Sequence, residues 1–365
     1  MNTAVYLDYN ATAPLLPAVR AALAAGLDLV GNPSSVHRFG REAKRAVEAA
    51  RAKVGALVGV PPSRIVFTSG ATEANNLALA VPGRRLVVSA VEHEAVRVAA
   101  PDAAVIPVDH RGIVDPGALD ALLAADPRPA LVAVMAVNNE TGVIQPLAEV
   151  GAVAKRHGAL VLADAVQAAG KIPLAGLGDF VSLSAHKIGG PAGVGALVVP
   201  DGVPLAPLLR GGGQEQRRRA GTENLLGIIG FGAAAEAIQA GLPDPTPLRD
   251  DLEERIRSLA PDAVVFGAES PRVGNTSCIG MPGVPGETQV MALDLAGVAV
   301  SAGSACSSGK VTPSRVLAAM GVAEDLARCA VRVSLGWAST PQDVDVFVAA
   351  WSDLYRRSRG RTRAA

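Results

Sequence analysis

The 365-residue chain carries 34 basic and 34 acidic side chains and so has no net charge, which leaves no global field to draw it to nucleic acid or a membrane surface. Apolar residues make up 49 % of it but aromatics only 3 %, so the core must be built from small aliphatic side chains. No apolar run approaches the ~18 residues of a membrane span, and the opening MNTAVYLDYNATAPLLP lacks the basic start and apolar block of a signal peptide. Three scattered cysteines, Cys278, Cys306 and Cys329, make neither a disulfide framework nor a CxxC metal knuckle. Together these features lead us to expect a reducing, cytoplasmic setting and no metal site.

In chain order, the first strong signal is SSVHRFGREAKRAVEAARAKVGALVG. Ala43, Val47, Ala50, Val54 and Leu57 recur at helical spacing, Ser34 or Ser35 is the expected cap, and Gly59 the expected stop. RIVFTSG, RRLVVSA, AAVIPVD, PALVAVMAV, GALVLAD, DFVSLSA and GALVVP follow, with helical patterns such as PLAEVGAVAKRHG between several of them. Continuous apolar runs of this length suit strands covered on both faces of a parallel sheet, and their alternation with helices predicts a layered α/β unit. Three prolines in AGLPDPTPLRD (240–250) mark a linker or unit edge. Beyond it, the helix LRDDLEERIRSLA, the strand-like VGNTSCIGM, GVAVSAG and VRVSLG, and a helix with Val344, Phe347, Val348, Trp351 and Leu354 on one face predict a smaller α+β unit. The arginine-rich end RRSRGRTRAA reads as a solvated, frayed terminus, or else as a contact to RNA or an acidic partner.

Polar residues gather where the predicted strands end, which is where open parallel sheets bind ligands. They are Thr68 to Thr72, Glu92 and His93, Asn138 to Glu140, Asp164 and Gln167, and Ser184, His186 and Lys187. TSGATEANN sets glycine and small hydroxyls at a strand-to-helix turn, where exposed amides attract phosphate. It has no GKS or GKT ending, and GGPAGVG lacks the acidic partner of a dinucleotide fingerprint. Asp164 and Lys187 end neighbouring candidate strands. That pair suits pyridoxal phosphate, which needs a lysine amine for attachment, an acid at its ring nitrogen and donors for its phosphate.

TSGATE, EHEAV, NNETG, DAVQ, SAHKIGGPAGVGAL, GGGQEQRRRAGTEN, SAGSACSSG and VRVSLG occur in this order. Together they resemble the cysteine desulfurases, pyridoxal-phosphate enzymes of the class V branch of the aspartate-aminotransferase fold, over nearly the whole chain. The resemblance implies a large domain with a mostly parallel sheet (13–245) and a small α+β domain made of 1–12 and 246–365. It implies that Lys187 holds the cofactor and Asp164 pairs with its ring nitrogen. His93 would stack on the ring and shuttle a proton, and Gln167 would bond its ring oxygen. Ala71, Thr72, Ser184 and His186 would bind phosphate, with Thr222 supplied by the second subunit of a homodimer. Asn139 and Arg332 would hold the substrate carboxylate, a task suited to arginine's fork.

Cys306 lies among serine, glycine and alanine in VSAGSACSSGKVTPS, an exposed thiol by composition. By the same resemblance it takes sulfur from L-cysteine as a persulfide, releasing L-alanine, and hands it to an iron–sulfur scaffold or a thiolation enzyme. It could also ligate a cluster transiently. The stretch after it resembles the longer-loop group of the family. The alternatives are a selenocysteine lyase, another class V enzyme such as a small-amino-acid aminotransferase, or an idle scaffold. Cys278 and Cys329 are expected to be structural, and His110 and His157 to face solvent.

Overall fold

The computed structural model describes residues 4–302 and 314–362; Cys306 lies outside them. The chain opens with β1 (Val5–Tyr6), α1 (Pro17–Gly26) and α2 (Arg38–Val58). The cap of α2 is His37, whose Nδ1 accepts from Gly40 N at 3.2 Å, and neither Ser34 nor Ser35 takes that place. The helix begins only at Arg38, so the capping position falls on His37, and the serines lie in the preceding turn, where Ser34 N donates to Asn32 Oδ1 and Ser35 N to Asn32 O. Gly59 does stop the helix, at a φ of 73° that a side chain would resist.

Then come β2 (Ile65–Thr68), α3 (Ala71–Leu79), β3 (Arg85–Ser89), α4 (Glu94–Arg97), β4 (Ala104–Ile106), α5 (Pro116–Ala125) and β5 (Ala130–Met135). They are followed by α6 (Leu147–Arg156), β6 (Leu160–Asp164), β7 (Phe180–Ser184), β8 (Gly195–Val198) and α7 (Leu225–Ala240). The seven strands β2 to β8 form one sheet in the order β2-β8-β7-β6-β5-β3-β4. Every residue of β2, β5, β7 and β8 is buried, as continuous apolar runs require. One strand departs from the parallel expectation: β8 runs antiparallel to both β7 and β2. Only residues 185–194 separate it from β7, too few for the crossover that a parallel return needs.

Two aliphatic cores cover the two faces of this sheet. One joins α1, α2, α5, α6 and α7, with Val47, Val54, Leu119, Val150 and Phe231 at its centre. The other lies under α3 around Leu77, Leu131, Leu162 and Phe180.

The remainder builds a second body from α8 (Thr246–Leu259), β9 (Val264–Phe266), β10 (Thr276–Gly280), α9 (Gly286–Leu295), β11 (Val298–Ala299) and β12 (Ser301–Ala302). It ends with α10 (Arg315–Ala319), α11 (Glu324–Ala327), β13 (Ala330–Ser334) and α12 (Pro341–Thr362). An antiparallel sheet of order β12-β13-β10-β9 packs with Leu252, Ile256, Phe347 and Trp351. β1 pairs with β11, so Val5 and Leu7 share this core while Leu16 belongs to that of the large sheet. A seam cluster including Met135, Phe266, Cys278 and Met320 joins the two bodies.

The arginine-rich end is not frayed where it is described. α12 continues through it to Thr362, and Arg359 pairs with Asp262 and lies over the Tyr355 ring. His110 is exposed as expected, whereas His157 is part-buried with Nε2 2.9 Å from Asp120 Oδ1. Among the described residues no helix is long and apolar enough to cross a membrane, and no cluster of His, Cys, Asp and Glu could hold a metal.

Candidate active site

A cavity of about 420 Å³ opens at the carboxyl ends of β3, β5, β6 and β7, a size that suits a small organic ligand. Ala71, Thr72, His93, Asn139, Asp164, Gln167, Ser184, His186, Lys187 and Arg332 all line it. Sequence order scatters these residues between Ala71 and Arg332; the strand order gathers them. Thr222 is not among them. It lines a separate cleft with Phe67, Glu215 and Arg219.

One pole of the cavity is the start of α3. Its cap, Gly70, offers no side chain, so the first-turn amides lack intrahelical acceptors and attract negative charge. Glu73 does not occupy them: it accepts from Ser69 N at 2.7 Å and pairs with Arg219 at 2.9 Å. Its carboxyl lies below the usual range because the bonds to Arg219 and Ser69 outweigh burial, which alone would raise it. The small-residue turn is required at Gly195 in β8, where a Cβ would fall 2.6 Å from Leu183 O and 2.7 Å from Gly70 Cα. His186 stands nearby with Nδ1 3.2 Å from Thr12 Oγ1. Burial, aided by Lys187, lowers it to about 4, so at neutral pH it offers a hydrogen bond and no charge.

The centre holds Asp164 and Lys187. Asp164 Oδ2 accepts from Asn75 Nδ2 at 2.8 Å and Oδ1 from Val166 N at 3.0 Å. Asn75 Oδ1 is buried with no partner among the described residues. Lys187 follows β7 on a single 3-10 turn, and its Nζ donates to Asn10 O and Ala11 O at 2.7 Å each. His93 caps α4 by accepting from Ala95 N on Nδ1 at 3.1 Å, which puts the neutral ring's hydrogen on Nε2.

The other pole is cationic. Arg332, buried in β13, donates to Asp8 Oδ1 at 2.8 Å and to Asn139 O at 3.2 Å. Its Nε is buried without a partner among the described residues. Burial pushes the nearby Glu140 carboxyl up to about 7, and Ser314 Oγ donates to it at 2.5 Å. Both ends of the segment that bears Cys306 therefore lie beside this pole, since Ser301 is paired in register with Arg332 and Ser314 is held by Glu140. Cys278 and Cys329 are buried, and burial drives the Cys278 thiol far up.

Sequence patterns did not single out Asn10, Asn75, Lys171 or Asp8. Asn75 lies one helical turn after Ala71, and Lys171 four residues after Gln167. Those spacings were the only local signals available.

The chain matches the family described as aminotransferase class-V over residues 5–347. It is 46 % identical over 361 residues to a cysteine desulfurase of Cereibacter sphaeroides, covering 93 % of each chain. It is 40 % identical over 367 residues to cysteine desulfurase IscS of Dictyoglomus turgidum, covering 94 % of this chain and 93 % of that one. The X-ray structure of a NifS-like protein from Rickettsia africae superposes with a TM-score of 0.89 at 35 % identity, over 97 % of this chain and 99 % of that one. This chain belongs to the aminotransferase class-V family.

Proposed function

We propose that the chain is a pyridoxal-phosphate-dependent cysteine desulfurase that converts L-cysteine to L-alanine and leaves the sulfur as a persulfide on Cys306. The observation that carries this is the convergence of Lys187, Asp164, the open start of α3 and Arg332 on one cavity. Pyridoxal 5′-phosphate, the cofactor of this family, fits that chemistry. The uncapped α3 amides suit its phosphate, the Asp164 carboxylate suits its ring nitrogen, and Lys187 is the amine for covalent attachment. Asn75 Oδ1 and Arg332 Nε, buried and without a partner among the described residues, mark polar groups at a site built for a ligand.

Bound there, the cofactor supplies an electron sink for a carbanion at the substrate Cα. The chain supplies the rest. Asp164, oriented by Asn75, keeps a proton on the ring nitrogen. Arg332 and Asn139 hold the substrate carboxylate. Lys187 Nζ takes the Cα proton, and His93 Nε2 is the second proton carrier. The Cys306 thiolate attacks the substrate sulfur; the S–S bond forms as the Cβ–S bond breaks, and the Cβ carbon leaves with the electron pair and is protonated to give alanine. Cysteine and a thiol thus become alanine and a persulfide, with no external oxidant.

The division into a cofactor-binding domain (13–245) and a small domain (1–12 and 246–365) that brings Cys306 is part of this proposal, supported by the separate cores. So are a homodimer that lends Thr222 to its partner's site and the transfer of sulfur to an iron–sulfur scaffold or thiolation enzyme.

The test is chemical. Borohydride treatment should fix the cofactor to the peptide that contains Lys187, and Lys187→Ala should abolish the label. With L-cysteine the protein should release alanine and carry one sulfur on Cys306. Cys306→Ser should stay yellow yet form no persulfide. Full alanine production by Cys306→Ser would refute the carrier role.

A further inference from the structure

Lys171 belongs to a tight turn after β6 and has no part in the chemistry above. Its amine is nonetheless turned into the wall of the site, where Nζ donates to Gln167 Oε1 at 2.8 Å and to Asn10 Oδ1 at 3.4 Å. Asn10 is 2 % exposed and uses every polar atom it has. Its O accepts from Lys187 Nζ and Gln167 Nε2, and its Oδ1 also accepts from Asn275 Nδ2 at 3.0 Å. Its Nδ2 donates to Asn139 O at 3.1 Å and Thr276 Oγ1 at 2.9 Å, and its N to Ser334 Oγ at 3.0 Å.

We propose that Lys171 is a positioning residue: an ammonium can only donate, so it fixes which way the side-chain amides of Gln167 and Asn10 face and makes Gln167 a donor towards the cavity. This rests on the functional assignment above, in which Gln167 meets the ring oxygen of the cofactor.

The argument is one of hydrogen-bond polarity. A side-chain amide has one accepting and one donating end, and its orientation is set by its surroundings. In the observed orientation Gln167 Oε1 faces the Lys171 amine and Nε2 donates to Asn10 O at 2.9 Å. Turned over, the amide would set N–H against ammonium and carbonyl oxygen against the Asn10 carbonyl, so both contacts become repulsive. Nε2 has two hydrogens, and the second meets no acceptor among the described residues. Gln167 lines the cavity, so that hydrogen is available to an anionic oxygen there. The same logic holds for Asn10: with Oδ1 between Lys171 and Asn275, Nδ2 must face Asn139 O and hold that loop in place. Burial, together with the charges of Lys187 and Arg332, brings the Lys171 amine down to about 7. The ammonium that enforces the orientation therefore predominates only on the acid side of neutrality.

The test compares the visible absorption of the holoenzyme, held near pH 6, in wild type, Lys171→Met, Lys171→Arg, Gln167→Ala and the Lys171→Met/Gln167→Ala double variant. Lys171→Met should shift the absorption maximum in the direction of Gln167→Ala. The double variant should match Gln167→Ala alone, because Lys171 acts through Gln167. Lys171→Arg, still donor-only, should keep the wild-type maximum. An unshifted Lys171→Met, or a double variant whose shift is the sum of the two, overturns the inference. Should Lys171→Met not accumulate folded, Lys171→Gln, which both donates and accepts, is read by the same criteria. A colourless wild type would overturn the functional assignment and this inference with it, whereas a coloured wild type indifferent to Lys171→Met overturns the inference alone.

Discussion

Replacing Arg51 with methionine should cost more stability at alkaline than at acid pH. Arg51 Nη1 donates to Glu215 Oε2 at 2.7 Å and Nη2 to Glu215 Oε1 at 2.8 Å, and both side chains are buried. Nη1 also holds Ile65 O, the guanidinium lies 4.7 Å from the Phe67 ring centroid, and Glu215 accepts from Phe67 N at 2.9 Å. Glu215, Gln216 and Arg217 have φ of 45°, 56° and 64°, a left-handed run that costs about 1–2 kcal/mol per non-glycine residue. The ion pair offsets that strain. Methionine would leave the Glu215 carboxylate buried on one backbone amide, and breaking a buried pair in this way costs about 3–5 kcal/mol. At roughly 2.1 cal/mol/K of unfolding entropy per residue, a loss of 4 kcal/mol lowers the melting temperature of a chain this long by about 5 °C. In the variant the orphaned carboxyl is better protonated when folded than when unfolded. Folding then takes up a proton, so the variant's stability rises as pH falls towards the unfolded value. The gap from wild type should narrow between about pH 8 and about pH 5. Glu215→Gln leaves a guanidinium that still holds Glu48 and Ile65 O and cannot give up its proton, so its smaller penalty should be independent of pH. Denaturant titrations at the two pH values measure both gaps. An Arg51→Met gap that is the same at both would refute this account of the pair.

Glu92 follows the same pH direction in the wild type. Burial pushes its carboxyl up to about 7 although Ser89 Oγ and Met135 N both donate to Oε1 at 2.6 Å, and Oε2 is buried without a partner among the described residues. A raised carboxyl stabilises the fold fully below its unfolded value and loses that contribution as pH rises through 7. Glu92→Gln keeps the two accepted bonds, so it should flatten the fall in melting temperature from about pH 6 to about pH 8; an unchanged slope would count against it. Arg332→Lys gives up the fork that reaches Asp8 and Asn139 at once and that we propose for a substrate carboxylate. A charged hydrogen bond is worth about 1.5–3 kcal/mol, so steady-state alanine release should show KM for L-cysteine raised roughly 10- to 100-fold, with kcat less affected; an unchanged KM would remove Arg332 from the carboxylate site. In Gly195→Ala the new Cβ meets only backbone, at Leu183 O and Gly70 Cα, so no side chain can swing aside. That overpacking should cost about 1–3 kcal/mol and loosen cofactor retention on gel filtration, because Gly70 leads into α3.

What the sequence exposes and what it hides have different physical origins. β5 is legible as a strand because all six of its residues are buried and apolar, and a run covered on both faces has no other composition open to it. Asp164 and Lys187 are legible because charged groups at the ends of such strands need a reason to be there, whereas Arg332, in the middle of β13, is reached only through the family resemblance. The direction of β8 follows from the length of one turn, a weaker cue that strand composition does not carry. The groups that orient the site are less visible still. Asn75 is 89 positions from Asp164, and Asn10 is 161 from Lys171; asparagine in either place reads as an ordinary turn or helix-start residue. Its role comes from what the fold lays against it. A carboxylate or an amine announces a function by the cost of burying it, whereas an amide is cheap to bury and takes its direction from its neighbours. The supporting layer of this site is built largely from amides, Asn10, Asn75, Gln167 and Asn275, and the lysine that sets two of them is itself four residues from its first partner. Local spacing could therefore suggest that Lys171 and Gln167 touch, but the consequence of that contact depends on Asn10, brought to it from the other end of the fold.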